Sequence, residues 1–540
     1  MQFNFDGQAY PFSSRRRVIY ARRGMVCTSQ PLSAQAGLSM LQQGGNAIDA
    51  AIATAICQTI VEPTNTGLGS DCFALVWVKD KLYGLNGSGY APTHLTAEAE
   101  RKAGNTVKIP FFGWEAMTIP GAAGAWAELH RRFGKLPFAK LFEPAIDYAE
   151  NGFPVSPIVA RFWQAGMEKF LPYKEHPAIK HWFKAFVSEG KAPQTGELMR
   201  LPDHAKTLRS LAASYCESMY RGELAEKIVE LSDATGGYLT KEDLADYHPE
   251  WQEPIHINYR GYDVWEMPPN GHGITALMAL NILKGFDFPK ESMISAERYH
   301  KQIEAMKLAF ADGMKYIADP RYMKTKVEEL LSEEYTAERR ALIGHDALDP
   351  VPGTPFCGGT VYLNAADDEG NMVSFIQSNY KDFGCGIVVP GYGLNLNCRA
   401  AGFSLDPESD DYLLPRKKPY HTIIPGFLTR NGEAVGPFGV MGAYMQPQGH
   451  VQVVMNTVDF LLNPQASLDA PRWQWIEGKK IWLEDRVPQE IIEELRKRGH
   501  EIEVKSDYTS FGRGEIIWCD DSGVLAGATE PRADGTVAAW

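Results

Sequence analysis

A strand–turn–strand signal in the second half of this 540-residue chain constrains its fold more than any other feature. Residues 360–367 and 372–379 are rich in strand-forming side chains, and the turn-forming run Asp368-Glu369-Gly370-Asn371 lies between them. This pattern predicts a β-hairpin. The preceding run is Phe356-Cys357-Gly358-Gly359, so two flexible glycines lead directly to a hydroxyl at Thr360, the first residue of the hairpin.

The Gly359–Thr360 bond determines what the hairpin could do chemically. If this bond is cut, Thr360 carries both a nucleophilic hydroxyl and a free α-amine. An α-amine titrates at about 7.7–8.0, so it can act as a base near neutral pH. This is the chemistry of an N-terminal nucleophile hydrolase. Glycine before a strand-initiating threonine is also ordinary in a loop that enters a hairpin, so the junction alone leaves both interpretations open.

Four segments occur along the chain in a recognisable order. They are Gly44-Gly45-Asn46-Ala47-Ile48-Asp49-Ala50-Ala51, the Thr360 hairpin, Phe383-Gly384-Cys385-Gly386-Ile387-Val388, and Gly527-Ala528-Thr529-Glu530-Pro531-Arg532. This series resembles the γ-glutamyltransferase family, including its glutaryl-type cephalosporin acylase relatives. The resemblance runs from about Gly24 to the C-terminus. It implies an α/β fold of the four-layer αββα sandwich type that N-terminal nucleophile hydrolases share.

Composition argues against several other classes of protein. Hydrophobic content of 44% and charged content of 22% are ordinary globular values, and the length allows one large core or two or three domains. A net charge of −13 argues against a nucleic-acid partner, which needs a concentrated basic face. We find no apolar run long enough for a membrane span, so no membrane partner is expected.

Cysteine usage and the N-terminal residues indicate the compartment. The eight cysteines form no CxxC pair, and several lie in apolar runs, which predicts buried free thiols in a reducing environment. The first residues lack a basic segment followed by an apolar one, so we expect a cytoplasmic protein without a signal peptide. The sequence shows no zinc spacing, P-loop or dinucleotide fingerprint, so neither metal nor cofactor is expected.

Hydrophobic periodicity predicts how the first part of the chain is organised. A strand at 25–29, two helices at 32–43 and 47–61, and two strands at 72–78 and 82–86 suggest a layered α/β start. Residues 120–343 are predicted to be mostly helical, with an irregular aromatic stretch at 163–186. The helices predicted there cover 123–133, 138–151, 274–283 and 296–318, the last with Ser295 as N-cap. The Pro- and Gly-rich residues 350–359 are the natural processing linker.

The second part of the chain is predicted to be richer in strands. Strand-forming residues at 386–397, 421–428, 434–440, 501–504, 513–518 and 524–528 alternate with helices at 445–462 and 488–498. We interpret 1–359 as a helix-rich large-subunit region with core strands near 24–90, and 360–540 as a small-subunit region that begins with the nucleophile. Together they are expected to form one αββα domain.

The resemblance assigns catalytic roles to four residues. The Thr360 amine would be the base, and Ser378 stands where the family keeps a second hydroxyl that orients the nucleophile, although it could also be only a polar residue on an alternating strand. Residues 439–443 end a strand before a helix, where backbone N–H groups lack helical partners. By resemblance the N–H groups of Gly442 and Ala443 are the oxyanion donors.

The predicted substrate pocket departs from the family pattern. Ser88, His421, Thr422 and Gly402 occupy the places of the charged groups that hold a glutamyl α-carboxylate and α-amine, and Tyr380 is predicted as a further substrate contact. Arg399 stands where the family commonly has glutamine. An arginine there could bind the carboxylate of a glutaryl group or of a differently placed glutamyl group, or it could form an ion pair with the acidic loop 406–411. The segment 403–419 is short, which predicts an open pocket.

Two hypotheses for function follow. In the first, Thr360 Oγ1 attacks the Gly359 carbonyl, and an N-to-O shift and water then release chains 1–359 and 360–540. The resulting heterodimer, with higher oligomers left open, would cleave or transfer a γ-glutamyl or glutaryl-like acyl group from a small amide, through an acyl-enzyme on Thr360. In the second, the chain is a catalytically silent, unprocessed relative that serves as a binding or structural protein.

Overall fold

The computed structural model describes residues 4–6, 8–14, 16–350 and 360–540, and it is built around two large sheets that helices cover. The α-helices of this described part are α1 (Pro31–Gln42), α2 (Ala47–Val61), α3 (Ala97–Lys102), α4 (Ala122–Phe133), α5 (Glu143–Asn151), α6 (Pro157–Phe170), α7 (Lys180–Phe186), α8 (Pro202–Ser214), α9 (Ser218–Arg221), α10 (Glu223–Thr235), α11 (Lys241–Ala245), α12 (Gly273–Leu283), α13 (Ala296–Tyr316), α14 (Val327–Leu330), α15 (Glu333–Ala341), α16 (Met445–Val458), α17 (Pro464–Asp469) and α18 (Gln489–Lys497).

The strands of the same residues are β1 (Ile19–Ala21), β2 (Gly24–Thr28), β3 (Asp71–Val78), β4 (Lys81–Gly87), β5 (Phe153–Pro154), β6 (Leu198–Met199), β7 (Glu250–Gln252), β8 (Ile255–Tyr259), β9 (Tyr262–Glu266), β10 (Val361–Asp367), β11 (Met372–Ser378), β12 (Val388–Val389), β13 (Leu394–Asn395), β14 (Gly426–Arg430), β15 (Glu433–Met441), β16 (Trp473–Glu477), β17 (Lys480–Glu484), β18 (Glu501–Lys505), β19 (Arg513–Cys519), β20 (Leu525–Thr529) and β21 (Thr536–Ala539).

Two seven-stranded sheets form the centre of the described structure. The nucleophile sheet has the strand order β21-β2-β10-β11-β3-β4-β7, and the partner sheet has the order β1-β20-β19-β15-β14-β9-β8. Neighbouring strands are antiparallel in both sheets. Apolar side chains from both sheets form one buried cluster between them, including Phe73, Ile376, Phe427 and Ile517. The two sheets therefore pack face to face.

Helices cover the outer face of each sheet. α2 is apolar almost all round, all its residues are buried, and its N-terminus carries a capping box between Asn46 and Asp49. It packs with α1 and the outer face of the nucleophile sheet in one core cluster, while α12, α13 and α16 pack on the partner sheet in another. The architecture is the αββα sandwich that the resemblance implied, so this fold prediction is confirmed.

The hairpin predicted at Thr360 is formed by β10 and β11. Val361 pairs with Gln377, and along the next strand Ser378 pairs with Asp71. Because antiparallel register continues outward, Thr360 lies opposite Ser378, so Thr360, Ser378 and Asp71 meet at one edge of three adjacent strands. The hairpin register thus brings these three side chains together.

Most local predictions are confirmed, including α2 and the Ser295 cap, whose side chain accepts from the Arg298 N–H. Three are wrong. The aromatic stretch 163–186 is largely helical in α6 and α7, because its aromatic side chains pack inward against Phe383. Residues 250–266 form strands β7, β8 and β9 within the region predicted to be helical. The strand predicted from 421 begins only at Gly426.

Two further predictions concern thiols and membranes. The seven cysteines within the described residues are all free, and six of them are buried. Cys357 and the linker 351–359 lie outside the described residues. No helix within the described ranges is both long and apolar enough to cross a bilayer.

Candidate active site

Thr360 immediately precedes β10 and is almost fully buried, with 1% of its surface exposed. Its hydroxyl donates to Ser378 Oγ across the hairpin at 3.3 Å. Ser378 Oγ in turn accepts the backbone N–H of Tyr380 at 2.7 Å. The Ser378 hydroxyl is therefore held by the backbone that follows it, and it can fix the rotamer of the Thr360 side chain. Gly359, the predicted cleavage residue, lies outside the described residues.

Gln446 is a contact of Thr360 that the sequence analysis missed. Its Nε2 lies 3.5 Å from Thr360 Oγ1, and its Oε1 accepts the Ile424 N–H at 2.9 Å. The residue sits in the first turn of α16, directly after the predicted oxyanion segment. A polar residue in the turn after two oxyanion donors is the signal that could have found it.

The predicted oxyanion segment is a strained turn between β15 and α16. Gly442 has a φ of 136° and Ala443 a φ of 50°, although an L-residue in the left-handed region is uncommon. Gly442 packs on Gly512, because a Cβ built on Gly442 would lie 3.2 Å from the Gly512 Cα. Strained backbone of this kind clusters at functional sites, where the surrounding structure holds it in place.

Arg399 is fully buried and forms an ion pair with Asp71. Its Nε lies 3.1 Å from Asp71 Oδ2, and its Nη1 donates to Thr422 Oγ1 at 2.8 Å. His421 Nε2 contacts the same Asp71 Oδ2 at 2.7 Å. The Arg399 guanidinium also lies over the Tyr380 ring, 4.3 Å from its centroid. Two predicted substrate-binding residues, Arg399 and His421, therefore contact Asp71, the strand partner of Ser378.

The alternative in which Arg399 pairs with the acidic loop is wrong. Its partner is Asp71, and two acidic side chains of that loop are themselves buried rather than solvated. Asp410 pairs with Lys324 at 3.0 Å, and Asp411 accepts the Tyr420 N–H at 2.9 Å. Asp410 and Asp411 therefore anchor neighbouring segments, and neither is paired with Arg399.

Charge in this network is balanced by the ion pair. Burial opposes ionisation of Asp71, but Arg399 and His421 outweigh it and hold the pKa of that carboxyl below its usual value. Burial and the nearby Arg399 lower the pKa of His421 to about 4. At neutral pH the site therefore contains a carboxylate, a guanidinium and a neutral imidazole.

The other predicted substrate contacts have different surroundings. Tyr380 and Gly402 line a cavity of about 380 Å³, together with Tyr420 and Tyr444. Ser88 is buried, and its hydroxyl donates to Asn86 Oδ1 at 2.6 Å. The geometry thus groups Tyr380, Arg399, His421 and Thr422, whereas Ser88 is engaged by a separate asparagine.

A second buried polar cluster contains His300, Glu304 and His500, which sequence spacing did not reveal. His300 Nδ1 lies 2.9 Å from His500 Nε2, and Lys307 Nζ lies 2.8 Å from Glu304 Oε1. The Lys307 ammonium already neutralises the carboxylate, so an added cation would meet a like charge. We interpret the cluster as an ion pair that anchors Leu348, whose N–H donates to Glu304 Oε2 at 2.9 Å.

A buried threonine hydroxyl directly before a central strand of an αββα sandwich, with a second hydroxyl 3.3 Å away, is typical of the class of N-terminal nucleophile hydrolases. The family model described as gamma-glutamyltranspeptidase matches residues 33–540. The chain therefore belongs to the gamma-glutamyltranspeptidase family.

Relatives and solved structures agree with this family. The chain is 34% identical over 528 residues to a "Glutathione hydrolase-like YwrD proenzyme" of Bacillus subtilis (strain 168), covering 96% of this chain and 98% of that protein. It is 31% identical over 539 residues to an "Acylase ACY 1 proenzyme" of Pseudomonas sp. (strain SE83), covering 97% and 95%. A crystal structure of cephalosporin acylase from Bacillus halodurans is 58% identical, with a TM-score of 0.95 and 99% of each chain covered.

Proposed function

We propose that this protein is a self-processing threonine amidohydrolase that cleaves a γ-glutamyl or glutaryl-like acyl group from a small amide. The observation that carries the proposal is the 3.3 Å contact between the Thr360 and Ser378 hydroxyls at the start of β10. The relatives' names support it, because they include proenzymes, a glutathione hydrolase-like protein and acylases. The alternative of a silent, unprocessed binding protein has no comparable support.

Maturation would use the same groups as catalysis. Thr360 Oγ1 attacks the Gly359 carbonyl carbon, the peptide C–N bond breaks, and an ester forms while the nitrogen becomes an amine. Water then hydrolyses the ester and releases residues 1–359 with a new carboxylate. Ser378 supports this step because its Oγ accepts a hydrogen bond from the Thr360 hydroxyl and so restrains that side chain. The expected product is a heterodimer of 1–359 and 360–540 that folds as one αββα domain.

In amide hydrolysis, bonds would form and break in the same order as in maturation. The Thr360 amine removes the proton from Oγ1, which attacks the substrate carbonyl, and the backbone N–H groups of Gly442 and Ala443 stabilise the oxyanion. The amine leaving group departs with the proton, and water hydrolyses the acyl-enzyme. A turn held at φ of 136° and 50° supports this role, because preorganised donors need no rearrangement during the reaction.

Acyl recognition would involve Arg399, Tyr380, His421 and Thr422, with Ser88 and Gly402 as further members. Asp71 occupies one edge of the Arg399 guanidinium, and Thr422 accepts from Nη1. We propose that an acyl carboxylate meets the remaining N–H groups of this guanidinium. The charge of Arg399 is shared with Asp71, so a single-point attachment is expected rather than a deeply buried second ion pair.

Assembly and location belong to the same proposal. A large and a small chain remain associated through the shared sheets, and assembly into higher oligomers is left to measurement. A reducing, cytoplasmic location is proposed because the seven described cysteines are free.

Denaturing electrophoresis and intact mass of the purified protein test the proposal. Two fragments that meet at the Gly359–Thr360 bond, together with hydrolysis of glutaryl- or γ-glutamyl-anilide, are expected. A full-length chain that hydrolyses neither substrate would instead support the silent binding protein.

A further inference from the structure

A second cavity borders the proposed oxyanion turn. It has a volume of about 270 Å³, and Gly442 forms part of its wall. α6 contributes Phe162 and Ala165, and the 509–513 segment contributes Gly512 and Arg513. This volume is slightly below that of common drug-sized pockets, so it suits a group of about amino-acid size. The cavity therefore borders the turn that would hold the reacting carbonyl.

Arg513 is a largely buried cation whose side chain makes no hydrogen bond within the described residues. The residue is 5% exposed, and its Nε is buried and unsatisfied. Its nearest acidic group is Glu62, whose Oε1 lies 3.8 Å from Nη1, beyond hydrogen-bond distance. The Glu62 carboxylate is already satisfied, because it accepts from Ser29 at 2.6 Å and from Asn65 at 2.7 Å.

The buried Nε–H of Arg513, which has no acceptor, requires an explanation. Arginine carries five N–H donors, and burying such donors without acceptors costs free energy. Phe162 covers the guanidinium, with the ring centroid 5.0 Å from its Cζ, but an aromatic face supplies no hydrogen-bond acceptor of full strength. Arg513 thus has a compensated charge but unused donors that face a cavity.

The other cations of the cavity are already paired. Lys169 Nζ lies 2.7 Å from Asp382, and Arg161 pairs with Asp507. Both lysine and arginine are partly exposed at the rim, where ion pairs contribute little and exchange with water. Among the cations that line the cavity, Arg513 is therefore the one able to bind an anion with high directionality.

The position of Arg513 ties this anion site to the reaction centre. Arg513 opens β19 and pairs in register with Met441, the residue before Gly442. We propose that Arg513 binds a carboxylate on the amine half of the substrate, so that the leaving group is an amine that carries a carboxylate. This inference rests on the proposed function and specifies its substrate class: the acyl group lies towards Arg399 and the leaving group towards Arg513.

A matched pair of substrates tests the proposal. N-glutaryl-4-aminobenzoate carries the carboxylate on the leaving amine, and N-glutaryl-4-aminobenzamide is its neutral counterpart. The mature wild-type protein should prefer the carboxylate in kcat/KM, mainly through a lower KM. Arg513→Gln should reduce that preference roughly 10- to 100-fold, the range expected for hydrogen bonds to a charged group. Arg513→Lys should keep part of it, because the charge remains and the fork is lost.

Controls separate this site from folding and from the proposed function. Glu62→Gln combined with Arg513→Gln removes both buried charges and should reproduce the loss with normal processing. Arg209→Gln, an exposed arginine paired with Glu150 elsewhere, should leave the preference unchanged. Equal rates for both amides in wild type, or an unchanged ratio in Arg513→Gln, would overturn the carboxylate site while hydrolysis itself persists.

Product binding gives a readout that does not need turnover. Calorimetry should show 4-aminobenzoate binding the mature protein more tightly than 4-aminobenzamide, and Arg513→Gln should weaken the former roughly 10- to 100-fold. If neither amide is hydrolysed, the proposed function fails. The difference in affinity between 4-aminobenzoate and 4-aminobenzamide then shows by itself whether Arg513 binds a carboxylate. Equal binding of both ligands would reject the site.

Discussion

Thr360 and Ser378 face each other across the first pair of the β10–β11 hairpin, with 3.3 Å between their hydroxyl oxygens. Asp71 pairs with Ser378 on the adjacent strand, and Arg399 pairs with Asp71. Thr360, the proposed nucleophile, is thus connected to Arg399, the proposed acyl-binding cation, through Ser378 and Asp71 on adjacent strands. A substitution at one of these residues is expected to alter the position of the neighbouring side chain.

The Thr360 side chain should control maturation. Thr360→Ala removes only a hydroxyl and a methyl group, so the chain should fold and remain uncut, whereas Thr360→Ser should still be processed, at a lower rate. Intact-mass measurement after expression distinguishes the two. Cleavage of the alanine variant after Gly359 would falsify the self-processing mechanism.

The oxyanion turn should be sensitive to side chains at Gly442 but tolerant at Ala443. Gly442→Ala places a Cβ 3.2 Å from the Gly512 Cα and 3.4 Å from the Met445 Cβ, so the turn must shift. We expect kcat to fall by roughly 100-fold or more with little change in KM, as for loss of an oxyanion donor. Ala443→Gly is the matched control, because glycine adopts the φ of 50° without strain and should keep kcat within a few-fold. Equal losses in both variants would argue against this assignment.

Arg399 should discriminate acyl groups by their distal charge. If its free N–H groups bind a carboxylate, glutaryl-anilide should be hydrolysed faster than butyryl-anilide. Arg399→Ala should then reduce that preference by about 1.5–3 kcal/mol, measured as the ratio of kcat/KM values.

A second variant is needed because Arg399→Ala also leaves Asp71 buried without its partner, which is strongly destabilising. Asp71→Asn keeps the arginine and should retain the glutaryl preference. A ratio that does not change in Arg399→Ala would restrict that residue to a structural role. Preference for γ-glutamyl-anilide over glutaryl-anilide would show that the α-amine is recognised.

The buried His204 should make stability depend on pH. Burial lowers its pKa from 6.5 to about 3 in the folded protein. Between pH 6.5 and pH 3 the unfolded chain therefore binds one proton more than the folded protein at this residue. The stabilisation that depends on neutral His204 is complete above pH 6.5 and is lost as the pH falls towards 3. Between pH 6.5 and 5 the loss should be about 1.5 kcal/mol.

Urea unfolding of wild type and His204→Leu at pH 6.5 and pH 5 measures how much His204 contributes to the pH dependence of the unfolding free energy. The variant should lose less of its unfolding free energy on acidification than wild type does, even if its stability at pH 6.5 differs. The exposed His94→Leu serves as control and should follow wild type. Identical pH slopes for His204→Leu and wild type would show that the imidazole does not contribute.

Local sequence patterns were sufficient for much of the fold. The Asp/Glu/Gly/Asn turn between two strand-forming runs predicted the β10–β11 hairpin, and an all-round apolar run predicted the fully buried helix α2. Both signals are short-range, since a turn or a helix is determined by residues a few positions apart. The family resemblance supplied the αββα arrangement, which periodicity alone suggested only as a layered α/β fold.

Long-range pairing accounts for what sequence patterns missed. Strands β8 and β9 lie in a stretch predicted to be helical. They pair with each other, and β9 also pairs with β14, which is far along the chain. Strand preference depends strongly on such neighbours. The helices in 163–186 were missed for a related reason, because their aromatic side chains pack against the distant Phe383.

The amino-acid sequence by itself determined the nucleophile hairpin, its Gly-Gly-Thr junction and the family to which they point. Tertiary structure alone decided which charged side chains are paired. Arg399 is paired with Asp71, 328 positions away, while the Nε–H of Arg513 has no acceptor beside the cavity that Gly442 lines. Ionic and hydrogen-bond partners depend on distances of a few ångströms between segments remote in the chain. Such distances are set only when the two sheets pack.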